Sequence, residues 1–308
     1  MQRAISIYNL CKTYSGKRGK RVTALSGLEL EVEPGQVFGF LGPNGAGKST
    51  TIKLLLDLIR PTSGCCQIFG ESPSKPVTRR LIGYLPENPA FYDYLTADQY
   101  LTFVGKAFGV GHQALFFRKE QVLNRLGLLE ARSRLIRTYS KGMVQRLGIA
   151  QALIHDPQLL ILDEPMSGLD PLGRALVKDI IREEKKRGTT VFFSTHVTAD
   201  TERVCDRIGV IIGGLFQEER VVGELLREGV DGYFCRVRGI SVENFQALGG
   251  TICSDGVCEV FVPRDRYDTF AADLLKSGGS FDLIEPRRRD VEEYFLDLVR
   301  SSGGAACA

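Results

Sequence analysis

The sequence contains no long apolar run. Hydrophobic residues make up 43% of its 308 positions, yet no stretch approaches the roughly 20 residues that a membrane-crossing helix needs. The longest candidates, LLIL at 159–162 and GVIIGGLF at 209–216, have the length of strands. The opening stretch MQRAISIYNLCKTYSG also lacks the apolar centre of a signal peptide. Both absences lead to the expectation of a chain made and kept in the cytosol. Eight cysteines (Cys11, Cys65, Cys66, Cys205, Cys235, Cys253, Cys258 and Cys307) include no Cys-x-x-Cys pair, and there are only three histidines. A zinc site built on Cys253 and Cys258 is therefore the weaker reading, and reduced thiols are expected. There is no internal repeat and no long heptad run. No basic face or tail stands out either: the net charge is +3 with both signs interspersed, which argues against a nucleic-acid partner.

What is present is an ordinary soluble composition, with 25% charged residues. The length allows one large domain or two. Residues 1–222 alternate short apolar runs with helical patterns. VFGFL at 37–41 reads as a strand, followed by a glycine-rich turn and a helix TIKLLLDLI ending at Pro61. LLIL and TTVFFST read as buried strands, and RALVKDIIREEKKRG as a helix closed by Gly188. That alternation argues an α/β domain with a largely parallel sheet.

The character changes near Gly223. YFCRVR alternates like a strand, SVENFQALG reads as a helix, and TICSDGVCEVFV holds Asp255-Gly256 between two strand runs. A helix RYDTFAADLLKSGG, a strand FDLIEP and an amphipathic helix DVEEYFLDLVR follow. The order matches a ferredoxin-like split βαβ unit, so 223–300 is expected to be a small α+β domain. Residues 301–308 are expected to be a disordered tail.

GPNGAGKST at 42–50 fits G-x-x-x-x-G-K-[ST], after a strand and at the head of a helix. The backbone N–H groups available within the stretch from Pro43 to Ser49 must converge on phosphate oxygens, and side chains at Gly45 and Gly47 would block the approach. Gly42, Asn44, Ala46 and Thr50 complete the loop. Lys48 supplies a point charge for β- and γ-phosphates, and the Ser49 hydroxyl reaches Mg²⁺. LLILDEP then ends a buried strand on Asp163 and Glu164. At a strand end both carboxylates can reach one cleft. Asp163 can hold Mg²⁺ through water, while Glu164 orients or deprotonates an attacking water.

The order phosphate loop, YSKGM, LLILDEP, SGLD, STH closely resembles the ATP-binding-cassette ATPases over about residues 1–220. The resemblance implies a P-loop fold with a mixed sheet and a helical subdomain carrying the signature. Ser140, Lys141, Gly142, Met143 and Gln145 stand at that signature, which would serve the ATP of a second copy. Ser140 and the Gly142 N–H would meet the γ-phosphate at the head of an α-helix. Lys141 faces either that phosphate or solvent; as a lysine it has ordinary negative φ, leaving Gly142 as the residue with special backbone. Met143, Leu147, Ala150 and Ile154 form the apolar stripe that seats the helix on the core.

The same resemblance places Tyr14 against adenine, Asp170 at the inter-subunit position and His196 as the switch at the γ-phosphate. His112 and His155 gain no such support and are expected at the surface. Two departures stand out. Glu87 in YLPENP replaces the family's glutamine, a Mg²⁺ ligand and the point of communication with a membrane partner. Lys141 and Met143 replace the usual glycine and glutamine of the signature.

YLPENP, YSKGM and the C-terminal extension look like stand-alone ATPase subunits of bacterial exporters. In that branch two copies act beneath a separately encoded transmembrane permease, peripheral on the inner face of the membrane. The competing reading is a soluble cassette ATPase acting on ribosomes or DNA. A plain nucleotide kinase with a phosphate loop is the remaining alternative. The basic stretch KRGKR at 17–21 reads as a solvated hairpin loop, with lipid head groups or nucleotide phosphates as the other candidates. RRR at 287–289, before the last helix, is expected to face solvent or an acidic partner surface rather than nucleic acid.

Overall fold

The computed structural model describes residues 2–15, 21–228, 230–239, 251–252, 258–288 and 291–301. Strands β1 (Ile5–Ser15) and β2 (Arg21–Val32) pair antiparallel, with Ser15 opposite Arg21. Of the expected basic loop at 17–21, residues 17–20 lie outside the described residues and Arg21 opens β2. Strand β3 (Val37–Leu41), wholly buried, leads into helix α1 (Lys48–Leu55). Strand β4 (Ser63–Ile68) joins the other side of β1, giving a three-stranded antiparallel sheet β2-β1-β4. Helix α2 (Pro76–Arg80) and strand β5 (Ile82–Leu85) precede a helical excursion. It comprises α3 (Ala97–Ala107), α4 (His112–Arg125) and α5 (Lys141–Leu153). The chain then runs through β6 (Leu159–Asp163), α6 (Pro171–Lys186), β7 (Thr190–Thr195) and α7 (Thr198–Glu202). Strands β8 (Arg207–Ile212) and β9 (Leu215–Val221) follow, linked by Gly213-Gly214.

The main sheet has the order β5-β6-β7-β3-β8-β9. Strands β5, β6, β7, β3 and β8 are parallel. This buries β3, β6 and β7 completely, as continuous apolar strands require. Alternate residues serve opposite layers. Leu159, Ile161, Phe38 and Phe192 pack with α1 and the antiparallel sheet, and the rings of Phe38 and Phe192 stack at 5.8 Å. Leu160, Leu162 and Phe193 pack with the helical excursion and α6. The carboxyl ends of β3, β6 and β7 thus lie side by side, and that edge is where open α/β sheets bind ligands.

Two local expectations need correcting. Helix α1 ends at Leu55 and not at Pro61, because Asp57 takes the left-handed backbone (φ 53°) and breaks the helical repeat. Asp57 is held there by Arg79 at 2.8 Å. His155 is not a surface residue. Its ring stacks on Phe108 at 3.8 Å, Nε2 lies 2.9 Å from the Ile82 carbonyl, and burial lowers its pKa. His112, by contrast, is exposed at the start of α4.

The chain divides into two compact units between Arg220 and Val221. The second contains α8 (Val222–Glu228), β10 (Val230–Arg238), β11 (Thr251–Ile252) and β12 (Cys258–Pro263). It continues with α9 (Tyr267–Lys276), β13 (Ser280–Arg288) and α10 (Val291–Ser301). Its sheet, β11-β12-β10-β13, is antiparallel and has the strand order of the expected split βαβ unit. Cys235, Val237, Val260 and Val262 alternate inward from the strands onto Phe270 and Leu274 of α9. The expected helix SVENFQALG, the Asp255-Gly256 turn and residues 302–308 lie outside the described residues. Strand β13 runs on through Arg288, so two of the three arginines of RRR belong to a strand. Arg287 is exposed, as expected, with its guanidinium over the Phe261 ring at 5.4 Å.

Candidate active site

The phosphate loop begins where β3 ends. A Cβ on Gly42 would come within 2.4 Å of the Ile211 carbonyl oxygen on β8. Gly47 adopts φ 111°, and a Cβ there would lie 2.7 Å from the Ala24 carbonyl oxygen on β2. Gly45 has open space around it but needs glycine for its φ of 79°. Neighbouring strands and backbone twist therefore impose these glycines, rather than the approach of a phosphate alone. Pro43, Asn44, Gly45, Ala46, Gly47, Lys48, Ser49 and Thr50 line a cleft of about 320 Å³ together with Ala24, Glu87 and Glu164. Lys48 is buried there. Its Nζ donates to the Gly42 carbonyl at 2.6 Å and lies 3.6 Å from Glu164 Oε1. Burial lowers its pKa, and the carboxylates of Glu164 and Asp163 oppose that shift.

Strand β6 delivers Asp163, whose Oδ1 accepts the hydroxyl proton of Ser194 from β7. The next residue, Glu164, has left-handed backbone at φ 49°. For a non-glycine residue this costs about 1–3 kcal/mol and persists only where surroundings enforce it. The surroundings are visible. Glu164 N–H points at both the carbonyl oxygen and Oγ of Ser194, each at 3.2 Å. Its carboxylate Oε1 lies 2.9 Å from His196 Nδ1, just beyond the end of β7. Glu164 is thus a buried carboxylate held between a lysine and a histidine at the wall of the phosphate-loop cleft. Such a group can orient a water and take its proton. Ser194 was not among the expected site residues. Its sequence signal was a hydroxyl inside a buried apolar strand, two places before His196, where an unpaired polar group would be costly.

Tyr14 lies outside this cleft. Its ring is 38% exposed near the end of β1, with Lys12 Nζ 5.0 Å above one face. Four other expected residues, Ser140, Lys141, Gly142 and Asp170, gather around a second cleft of about 450 Å³. Ser140, Lys141, Gly142, Leu169 and Asp170 line it, and it shares no residue with the first. Ser140 Oγ caps α5 by accepting from Met143 N–H at 3.3 Å, and Asp170 Oδ1 caps α6 by accepting from Gly173 N–H at 2.8 Å. Helix α5 therefore starts at Lys141. Gly142 has no left-handed backbone, and a Cβ there would make only ordinary contact with Leu169 at 3.5 Å. No backbone specialty resides at Gly142; its contribution is the absence of a side chain on the wall. The stem of Lys141 lies along Gly168, where a Cβ would come within 2.5 Å of Lys141 Cε.

Gln145 and Met143 turn away from the second cleft. Gln145 is buried, and its Nε2 donates to the carbonyls of Pro165 at 3.2 Å and Glu164 at 3.4 Å in its own chain. Its assignment to a surface facing a second copy is corrected accordingly: one helical turn past the cap, the side chain points at the core. Met143 packs partly buried against the same core as Leu147, Ala150 and Ile154.

The profile of a family described as "ABC transporter" matches residues 25–167. An uncharacterized ABC transporter ATP-binding protein of Synechocystis is 46% identical over 290 residues, covering 92% of this chain and 80% of that protein. The bacitracin transport ATP-binding protein BcrA of Bacillus licheniformis is 40% identical over 308 residues, covering 97% of this chain and 98% of that protein. The solved structure of an ATP binding subunit of an ABC transporter superimposes with a TM-score of 0.66 at 30% identity, covering 73% of this chain and 92% of that one.

Proposed function

The chain belongs to the ATP-binding subunits of ABC transporters and is an ATPase of that type; on this premise we propose that it is the motor of an exporter, working as a pair beneath a separate transmembrane permease. The carrying observation is the separation of the two clefts. One holds the phosphate loop and Glu164, the other Ser140 and Gly142. Two chains facing each other head to tail would complete both, each phosphate loop closed by the partner's helix α5. In this arrangement Glu164 is the general base, and His196 holds it and reads the γ-phosphate. Tyr14 offers its uncovered ring face to adenine, and Asp170 lies at the inter-subunit contact.

Mg²⁺ fits the residues present. The Ser49 hydroxyl and the carboxylates of Asp163 and Glu87 are all oxygen donors, the set this ion prefers, and Mg²⁺ commonly keeps waters and phosphate oxygens besides. When bound it would neutralise phosphate charge. Glu87 lies near enough to Lys48 to favour the charged lysine. It brings a negative charge where glutamine is usual in the family.

A membrane partner is supported by the exposed rings of Tyr92, Tyr94 and Phe103, which follow Glu87 in the chain. Tyr92 lies 5.9 Å from Tyr94 and 6.2 Å from Phe103. Exposed aromatic clusters of this kind mark interaction surfaces. Among the described residues no helix is long and apolar enough to cross a membrane. We therefore place the motor at the cytoplasmic face, held by its permease. Export is the direction suggested by the relative named for bacitracin transport. Residues 223–300 are proposed as a separate small α+β domain serving as a dimer contact, a regulatory ligand site or a permease-docking surface, supported by the division of the chain near Val221.

The test is Glu164→Gln in the full chain. ATP binding is expected to persist while kcat falls by about 100-fold or more, the scale of a lost general base. The variant should also accumulate as an ATP-bound dimer in gel filtration. Undiminished turnover would overturn the assignment of Glu164.

A further inference from the structure

Helix α5 carries the proposed trans-acting surface at its first turn and touches the cis active site one turn later. The Gln145 side chain is 4% exposed, and its amide N–H groups reach the carbonyl oxygens of Glu164 and Pro165. These carbonyls flank Pro165 and follow directly on the one residue of the catalytic strand end with left-handed backbone, Glu164. Proline supplies no N–H here; within the turn Ser167 N–H donates to the Glu164 carbonyl at 3.1 Å, and the remaining holds come from outside, the Pro165 carbonyl depending on Gln145. Ser194 holds Glu164 N–H from the β7 side, and Gln145 holds the following carbonyls from the α5 side.

Helix α5 is itself fixed on two further sides. Arg146 Nη1 donates to the Leu126 carbonyl at the end of α4, 2.9 Å away. Gly148 lies so close to β5 that a Cβ would be 2.4 Å from Leu85 Cδ1 and 3.4 Å from Pro89 in the loop of Glu87. The helix therefore acts as a bar between Ser140 at its tip, the Glu87 loop on its flank and the backbone of Glu164.

We infer that Gln145 is a positioning residue that couples the two ATP sites of a dimer: closure of one nucleotide against Ser140 moves or steadies α5, and Gln145 passes this to the backbone that aims Glu164 at the other nucleotide. This inference rests on the shared-site reading above. Two buried carbonyls accept from one amide, so a displacement of α5 leaves Glu164 in strained backbone with one clamp fewer. The resulting misaim acts on the reaction and not on nucleotide affinity, because Gln145 does not line the phosphate-loop cleft.

Two variants of the full chain test this. Gln145→Leu keeps the volume and removes the donor. Its kcat is expected to fall on the order of 10- to 100-fold, the scale of a small misplacement of a reacting group. KM should stay within about twofold, and the Hill coefficient for ATP should drop toward one. Gln145→Glu places an acceptor against two acceptors and can donate only when protonated. The ratio of its kcat to that of wild type should therefore rise as pH falls from about 8 to 6, since a buried carboxyl titrates high. A purely structural role would lower Tm in both variants and leave that ratio flat with pH.

A kcat for Gln145→Leu within twofold of wild type overturns the inference. If that variant fails to fold, the pH ratio of Gln145→Glu decides, and a flat ratio overturns it. If wild type itself does not turn over, the shared-site reading is what fails. Hydrogen exchange across 163–168 then judges Gln145 alone: faster exchange in Gln145→Leu supports the clamp, and unchanged exchange removes it.

Discussion

Gly42 and Gly47 carry different burdens. At Gly42 the obstacle is the Ile211 carbonyl, a backbone atom with no freedom to retreat; at Gly47 it is also the φ of 111°. Gly42→Ala should therefore abolish ATP binding by pushing the loop off β8, checked by equilibrium dialysis against wild type. Tyr84 offers a test of the electrostatics. Burial, with the Asp163 carboxylate adding to it, pushes its phenol up to about 12 from an ordinary 10. A folded-state pKa above the unfolded value gives stability that is fully present below pH 10 and is lost as pH rises through 12. Tyr84→Phe removes that titration. Its stability should fall less steeply than that of wild type between pH 10 and 12, read by urea unfolding at several pH values; parallel curves would contradict the burial.

The motif residues were legible because each needs a residue type at a fixed spacing. Ser194 was not, because a lone serine in FFSTHV carries no spacing signal, and its partners Asp163 and Glu164 arrive only through the β6–β7 pairing. The inward turn of Gln145 was hidden for a similar reason: its partners come from another element.

Elements transmit what residues begin. Helix α6, capped by Asp170, is tied to α7, which follows His196, by Lys178 and Asp200 at 2.6 Å, with Asp200 buried. Asp200→Asn leaves a largely buried lysine without its counter-charge. It should lower stability by about 3 kcal/mol, read as a shift of the denaturation midpoint with an unchanged slope. The strands β3, β6 and β7 were readable as apolar runs of strand length, and α6 from the run RALVKDIIREEKKRG and its Gly188 stop, although the helix starts three residues earlier at Pro171, capped by Asp170. The early end of α1 was not, since TIKLLLDLI continues the helical pattern past Leu55. What stops it is the left-handed Asp57, held by Arg79 from α2. That is a tertiary contact the local pattern does not contain.

The whole molecule consists of two units that each own a core, one around Phe38, Leu162 and Phe193, the other around Val237, Val260 and Leu274. A chain truncated after Arg220 should therefore fold and retain ATP binding, shown by a cooperative thermal transition and by equilibrium dialysis. An aggregating or unstructured product would contradict the independence of the first unit. The sharing of sites belongs to this scale too, because one chain separates the phosphate loop from Ser140 in distinct clefts.

The most direct measurement mixes two inactive chains. Lys48→Ala removes the phosphate-loop cation, and Ser140→Arg blocks the tip of α5. Each alone should hydrolyse ATP at background. Mixed, they form dimers in which the intact phosphate loop of one chain meets the intact α5 tip of the other, and hydrolysis should return above background, at a reduced rate because the second site of each dimer stays open. Background hydrolysis from the mixture, with exchange of subunits confirmed, would mean that each chain completes its own site and would contradict the shared motor.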